Sequence, residues 1–175
     1  MTNNERNARQ TGLIKLGPEK LKTYFLSHLN KIYCAKSLLA SRLPEIGMQS
    51  HFIDLKHAIF ETAQDVDNQI ARMEEIFTLL DAETSSQSCV GIPGLLEEAF
   101  EAIHGQRGDP VLSDLSILFY MQNIESLEMA SFQVLRIAAV KLKNKQIKQL
   151  LLENFDESKA DRALFLLITA KYMTC

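Results

Sequence analysis

Six residues combine chemistry-bearing side chains with helical spacing: His28, Asp65, Gln69, Glu125, Glu128 and Glu157. Glu125 and Glu128 lie three apart and so project from one helical face. Their stretch, residues 115–142 (LSILFYMQNIESLEMASFQVLRIAAVKL), carries two seven-residue rows: Leu118, Glu125, Phe132, Ala139 and Met121, Glu128, Leu135, Leu142. Rows of that spacing form a bundle seam, and each row is apolar except for its glutamate. Burying two acids is costly unless a metal, a base or a proton pairs with them. Histidine and carboxylate side chains suit iron, manganese or zinc. A two-metal carboxylate site can activate oxygen or peroxide. The competing reading is a structural polar core, in which Lys36 and Arg72 neutralise the glutamates and Gln69 hydrogen-bonds them.

The elements that must position these residues are long helices. Gly17-Pro18-Glu19 opens the first, with Pro in its first turn beside an acid. Its seam reads Leu21, Phe25, His28, Ile32, Ala35, Leu39, and it is expected to run to about Arg42 and stop near Pro44 or Gly47. Ser50 is the expected N-cap of the second, whose clean row is Ile59, Val66, Met73, Leu80. Residues 82–91 (AETSSQSCVG) are a loop by composition. Ile92-Pro93-Gly94 opens a short helix, closed by Gly105 and Gly108. Asp109-Pro110 caps the third long helix, expected to reach about Lys143. After a tight break at Asn144 and Lys145 the fourth runs from Gln146 to about Tyr172. Its rows are Leu150, Glu157, Leu164 and Leu151, Ser158, Phe165, with Asp161 in a third row beside Ile147 and Ile168.

Short links make two antiparallel hairpins, and the long middle connection must cross the bundle. The expected fold is therefore all-α: a ferritin-like four-helix bundle whose crossover contains a short fifth helix. Residues 1–16 are expected to be a flexible arm, and residues 17–175 one domain.

Composition excludes several functions. The net charge of −3 offers no strongly basic face for phosphate backbones, so no nucleic acid is expected. Cys34, Cys89 and Cys175 are odd in number, with none at CxxC spacing, so a disulfide is not expected and a reducing, cytoplasmic setting is. No secretory leader or membrane span is apparent. There is no Gly-rich phosphate loop, nucleophile elbow or HExxH stretch. His51, His57 and His104 fall near helix ends. Glu153, Asp156, Glu157 and Asp161 read as a solvated acidic face, from which only Glu157 joins the candidate set.

Several segments carry a family likeness: FLSHLNKIYCAKSLLASRLPEI, QIARMEEIFTLLDA, SCVGIPGLLEEAFEAI, DPVLSDLSILFYMQNIESLEMASFQVLR and LLLENFDESKADRAL. In order and spacing they resemble the YciE/YciF family of bacterial ferritin-like proteins. The resemblance implies a ferritin-like bundle, a homodimer, stress-linked expression in some members, and a two-metal carboxylate centre. On that pattern His28 stands where a glutamate is expected, Lys36 where a second acid is expected, and Asp65 where helix two carries a glutamate. Glu125, Glu128 and Glu157 match. Ser158 replaces the acid after Glu157, and no Glu-x-x-His pair occurs.

The candidate metal set is thus His28, Asp65, Glu125, Glu128 and Glu157, holding one iron, manganese or zinc ion, or none. The favoured reading is a stress-associated ferritin-like protein with a degenerate dinuclear site, acting as a dimer or through a partner. The alternative is a divergent metal-dependent oxidase or peroxide scavenger, so the sequence leaves enzymatic activity open. A mini-ferritin that stores iron or coats DNA is the weakest reading, for want of a basic tail. The third long helix is apolar nearly all round between Ile117 and Met121, which agrees with a dimer.

Overall fold

The computed structural model describes residues 16–85, 89 and 91–174. The arm expected over residues 1–16 falls, apart from Leu16, outside them. Among the described residues there is no strand, and five helices follow in order: α1 (Pro18–Gln49), α2 (Ile53–Leu79), α3 (Ile92–His104), α4 (Pro110–Leu142) and α5 (Lys145–Met173). α1 pairs with α2 and α4 with α5. α2 then packs on α5 and α1 on α4, closing a four-helix bundle, while α3 lies across α1 and α4. This is the one-crossover ferritin-like arrangement. No helix among the described residues is long and apolar enough to cross a membrane.

The apolar rows build two separate cores. One, toward the α1–α2 link, gathers Leu39, Leu43, Leu55, Ile59, Leu118, Met121 and Phe165 with Leu96 and Phe100 of α3. The other, at the opposite end, gathers Phe25, Leu29, Met73, Ile76, Phe132, Leu135, Ile147 and Leu151. Between them all four long helices present polar residues.

Helix ends follow local chemistry with two exceptions. Asp109 accepts hydrogen bonds from the Val111 and Leu112 amides (3.0 and 3.1 Å), and Asn144 from those of Gln146 and Ile147 (2.9 and 3.2 Å). Both are the side-chain caps that their residue types favour. The first exception is α1, which passes the expected stop at Pro44 and Gly47 and ends at Gln49. Leu43 and Ile46 stay buried on either side of Pro44, and that burial outweighs one forfeited backbone bond. Gly47 is a close-approach glycine instead, since a Cβ there would lie 3.0 Å from the Phe60 ring and 3.1 Å from Ile59.

The second exception is Ser50, which does not cap α2. Its hydroxyl donates back to the Ile46 carbonyl (2.9 Å), and α2 begins after Phe52. The amides of His51 and Phe52 instead donate to Asp114 Oδ2 of α4 (2.8 and 2.5 Å). A buried acid in one hairpin therefore closes the turn of the other.

The crossover holds a correction to the cysteine reading: Cys34 and Cys89 form a disulfide, with Cα atoms 5.5 Å apart and a sequence separation of 55. Local spacing cannot reveal such a pair. The loop is brought back onto α1 because the Asn30 side chain donates to the Ser85 carbonyl (2.6 Å) and accepts from the Ser85 amide (2.8 Å). Gly91, at φ +90°, then turns the chain into α3 in a conformation that L side chains rarely adopt.

A thiol titration of unfolded, non-reduced protein is expected to count one free thiol of three. Cys34→Ala is expected to lower stability by about 2–4 kcal/mol, or roughly 5–15 °C in melting temperature. Three thiols and an unchanged melting temperature would show that the bond does not form.

Candidate functional site: a buried lysine and carboxylate layer

Between the two apolar cores lies a layer of polar side chains. α1 supplies Lys36, α2 supplies Thr62 and Gln69, α4 supplies Glu125 and Glu128, and α5 supplies Asn154, Ser158 and Asp161; all are buried. The residues fall at one height because the long rows of all four helices turn polar at the same level. In α5 the row Ile147, Asn154, Asp161, Ile168 crosses from one core to the other through this layer.

Lys36 is the only fully buried cation among the described residues. It is ion-paired with Glu128 Oε2, with both side chains wholly out of solvent. Burial alone would favour the neutral amine, but Glu128, Glu125 and Asp161 outweigh it, and the Lys36 pKa is raised. Neither oxygen of Glu125 has a hydrogen-bond partner. Burial pushes its pKa well above the ordinary carboxylate range against the pull of Lys36, and its neighbour Glu128 adds to the rise. Asp161, 3% exposed, is raised to about 7, first by burial and then by Asp65, with Thr62 beside it opposing the rise. The layer thus holds one ammonium against three buried carboxyl groups.

The expected site residues divide. Glu125 and Glu128 come together as their spacing requires. Asp65 sits half-buried at the edge, its pKa raised by burial and by Glu157. Glu157 is engaged by Arg72 in a two-pronged contact, Nη1 to Oε2 and Nη2 to Oε1, both 2.6 Å. Arg72 Nε also reaches Glu153 Oε2 (3.1 Å) and its Nη1 reaches Asn154 Oδ1 (3.3 Å). His28 is elsewhere. Its ring lies tilted against Tyr24, 4.4 Å between centroids, and it lines a cavity of about 310 Å³ with Ile32, Leu127, Val134 and Leu135. Burial and nearby Lys31 lower its pKa.

Gln69 does not hydrogen-bond the glutamates, since both its side-chain polar atoms lack partners. Asp161, read in sequence as part of a solvated face, is a core residue, and its row with Ile147 and Ile168 carried that signal. Among the described residues no group of three or more His, Cys, Asp and Glu side chains is placed to hold a metal ion.

A family model described as "Domain of unknown function (DUF892)" matches residues 20–171. The chain belongs to this family. Protein YciF of Escherichia coli K12 is 26% identical over 141 residues, which span 80% of this chain and 84% of YciF. Among solved structures, YcfI of Rhodopseudomonas palustris, put forward as a structural protein, superposes with a TM-score of 0.78 at 26% identity. The match covers 88% of this chain and 98% of that one. The E. coli stress protein YciF superposes with the same score at 23% identity, over 85% and 94%. In this DUF892 chain, then, the ferritin-like fold is built around the lysine and carboxylate layer.

The raised acids set the pH response. Asp161 keeps its proton in the folded protein up to about pH 7 but loses it near 3.8 when unfolded. Between those values the folded state binds the extra proton, so stability falls as pH rises, by about 1.4 kcal/mol per unit for one group. Asp161→Asn is expected to flatten the denaturation free energy between pH 4 and 7 and to raise it at pH 8. An unchanged slope would mean that Asp161 is ionised in the fold.

Proposed function

We propose that this chain is a stress-associated, ferritin-like structural protein in which the Lys36 ammonium supplies the positive charge that a metal centre would supply. The observation carrying this reading is the fully buried Lys36–Glu128 pair. An ammonium seated among Glu128, Glu125 and Asp161 repels any dication brought to the same carboxylates. The remaining donors fit two metal ions poorly: both Glu157 oxygens are held by Arg72, and His28 faces an apolar cavity on another side of α1. The likeness to the E. coli stress protein YciF and to YcfI, put forward as structural, supports a non-enzymatic role.

The chain works as a homodimer in this reading. α3 and α4 leave an apolar face, with Leu95 56%, Phe119 62% and Val134 46% exposed. Two cavities of about 310 and 440 Å³ share Leu127 along it. A face of that kind suits a self-complementary two-fold contact. A cytoplasmic setting makes the Cys34–Cys89 bond one that forms when oxidants rise, as cytoplasmic disulfides commonly do.

The second reading, a metal-dependent oxidase or peroxide scavenger, draws on the two oxygens of Glu125, which lack hydrogen-bond partners. Mass-spectrometric metal analysis after anaerobic incubation with ferrous iron separates the two. The expected result is far less than one equivalent per chain. A full equivalent that is lost in Glu125→Ala would overturn the structural reading. In light scattering the chain is expected to run at twice its 19.8 kDa mass, and Phe119→Glu at the mass of one chain. A wild-type monomer would remove the dimer.

A further inference from the structure

The overall acidic balance conceals a local reversal. From Met129 to Leu152 the sequence has no Asp or Glu, yet it holds Arg136, Lys141, Lys143, Lys145 and Lys148. The rest of the chain carries all 22 acids and the remaining 14 of 19 basic residues. The fold places this stretch at the α4–α5 turn and opens a groove of about 650 Å³ between the two helices. Arg136, Lys145 and Lys148 line it together with Ile137, Val140 and Leu152.

Three features mark the groove as built to receive something. Ile137 and Val140 are 68% and 55% exposed one helical turn apart, an apolar stripe with no partner in the fold. Arg136, Lys145 and Lys148 form no ion pair with an acid among the described residues, and the Arg136 guanidinium is steadied 5.1 Å over the Phe155 ring. Lys145 and Lys148 also sit in the opening turns of α5, which has no acid in its first turn. The helix dipole favours anions there and opposes cations. A locally unfavourable choice of this kind is expected where function requires it.

The geometry points to this groove as the docking site for an acidic amphipathic helix of a partner protein, its apolar stripe seated on Ile137, Val140 and Leu152 and its carboxylates meeting Arg136, Lys145 and Lys148. This is helix-in-groove recognition with charge complementarity at the rim. Other occupants fit less well. A flat lipid surface leaves a recessed cleft unfilled. A phosphate backbone gains nothing from exposed isoleucine and valine, and no aromatic side chain lines the groove for base stacking. The chain's own amino-terminal segment carries Arg6, Arg9 and Lys15 against Glu5, so it is of the wrong sign. A two-fold contact through the groove would set these cations against their own copies.

The test titrates full-length protein with a fluorescein-labelled synthetic peptide bearing leucines three and four residues apart and glutamates between them. Its controls are a scrambled peptide of equal composition, phosphatidylserine vesicles and duplex DNA. Saturable binding of the patterned peptide is expected, weaker at high salt, with amide shifts at Gln133, Arg136 and Lys148. Joint Lys145→Glu and Lys148→Glu substitution is expected to weaken it at least about tenfold. Acids at those positions suit the α5 terminus, so circular dichroism should show the fold retained. Ile137→Asn checks the apolar half and should also weaken binding. The proposal is overturned if the patterned peptide does not bind. It is also overturned if the scrambled peptide binds equally, if the charge reversals change nothing, or if only vesicles or DNA occupy the groove.

Discussion

The Lys36–Glu128 ion pair is the constraint around which this bundle is arranged. Taking an ammonium and a carboxylate out of water costs several kcal/mol per ion, and only close pairing with further polar support repays it. The fold supplies that support by interrupting the apolar rows of all four long helices at one level, so the charges share a layer rather than facing hydrocarbon. Even so, three buried carboxyl groups exceed one ammonium, and burial pushes the pKa of Glu125 and of Asp161 upward. The ferritin-like frame is thus built around one tethered cation set among buried carboxyl groups.

The remaining structure protects that layer by tying the halves of the bundle together from outside. Asp114 of α4 closes the α1–α2 turn through two backbone amides. Arg72 links α2 to α5 through Glu153 and Glu157. The crossover is held to α1 by Asn30 and by the Cys34–Cys89 bond. Each tie joins elements far apart in sequence, which suits a protein whose core contains an electrostatic liability.

The fold was legible because its signals are periodic or local: seven-residue rows, a capped helix start at Asp109, a break at Asn144, and one long connection between two short ones. The pairing of Glu125 with Glu128 was legible for the same reason, and Lys36 stood out as a neutraliser, whereas Arg72 engages Glu153 and Glu157 instead. What escaped depended on contacts across the chain. Pro44 and Gly47 looked like terminators because local rules say nothing of the burial of Leu43 and Ile46. Ser50 looked like a cap because the true acceptor, Asp114, lies 62 residues from Phe52. Asp161 looked solvated because its acidic neighbours drew the eye from its apolar row. His28 shared a seam with core residues, but its edge position turns it toward Tyr24 and the outer cavity. Cys34 and Cys89 have no local signature at all.

The most direct test of the central claim is a double-mutant cycle on Lys36→Met and Glu128→Leu, read by urea denaturation at pH 7. Breaking a buried pair from one side leaves an uncompensated charge and costs about 3–5 kcal/mol, whereas replacing both partners by apolar groups is often nearly neutral. The prediction is that each single variant is strongly destabilised and the double variant returns close to wild type. Additive losses would contradict it, showing that Lys36 does not neutralise Glu128 and that the layer is balanced by something else.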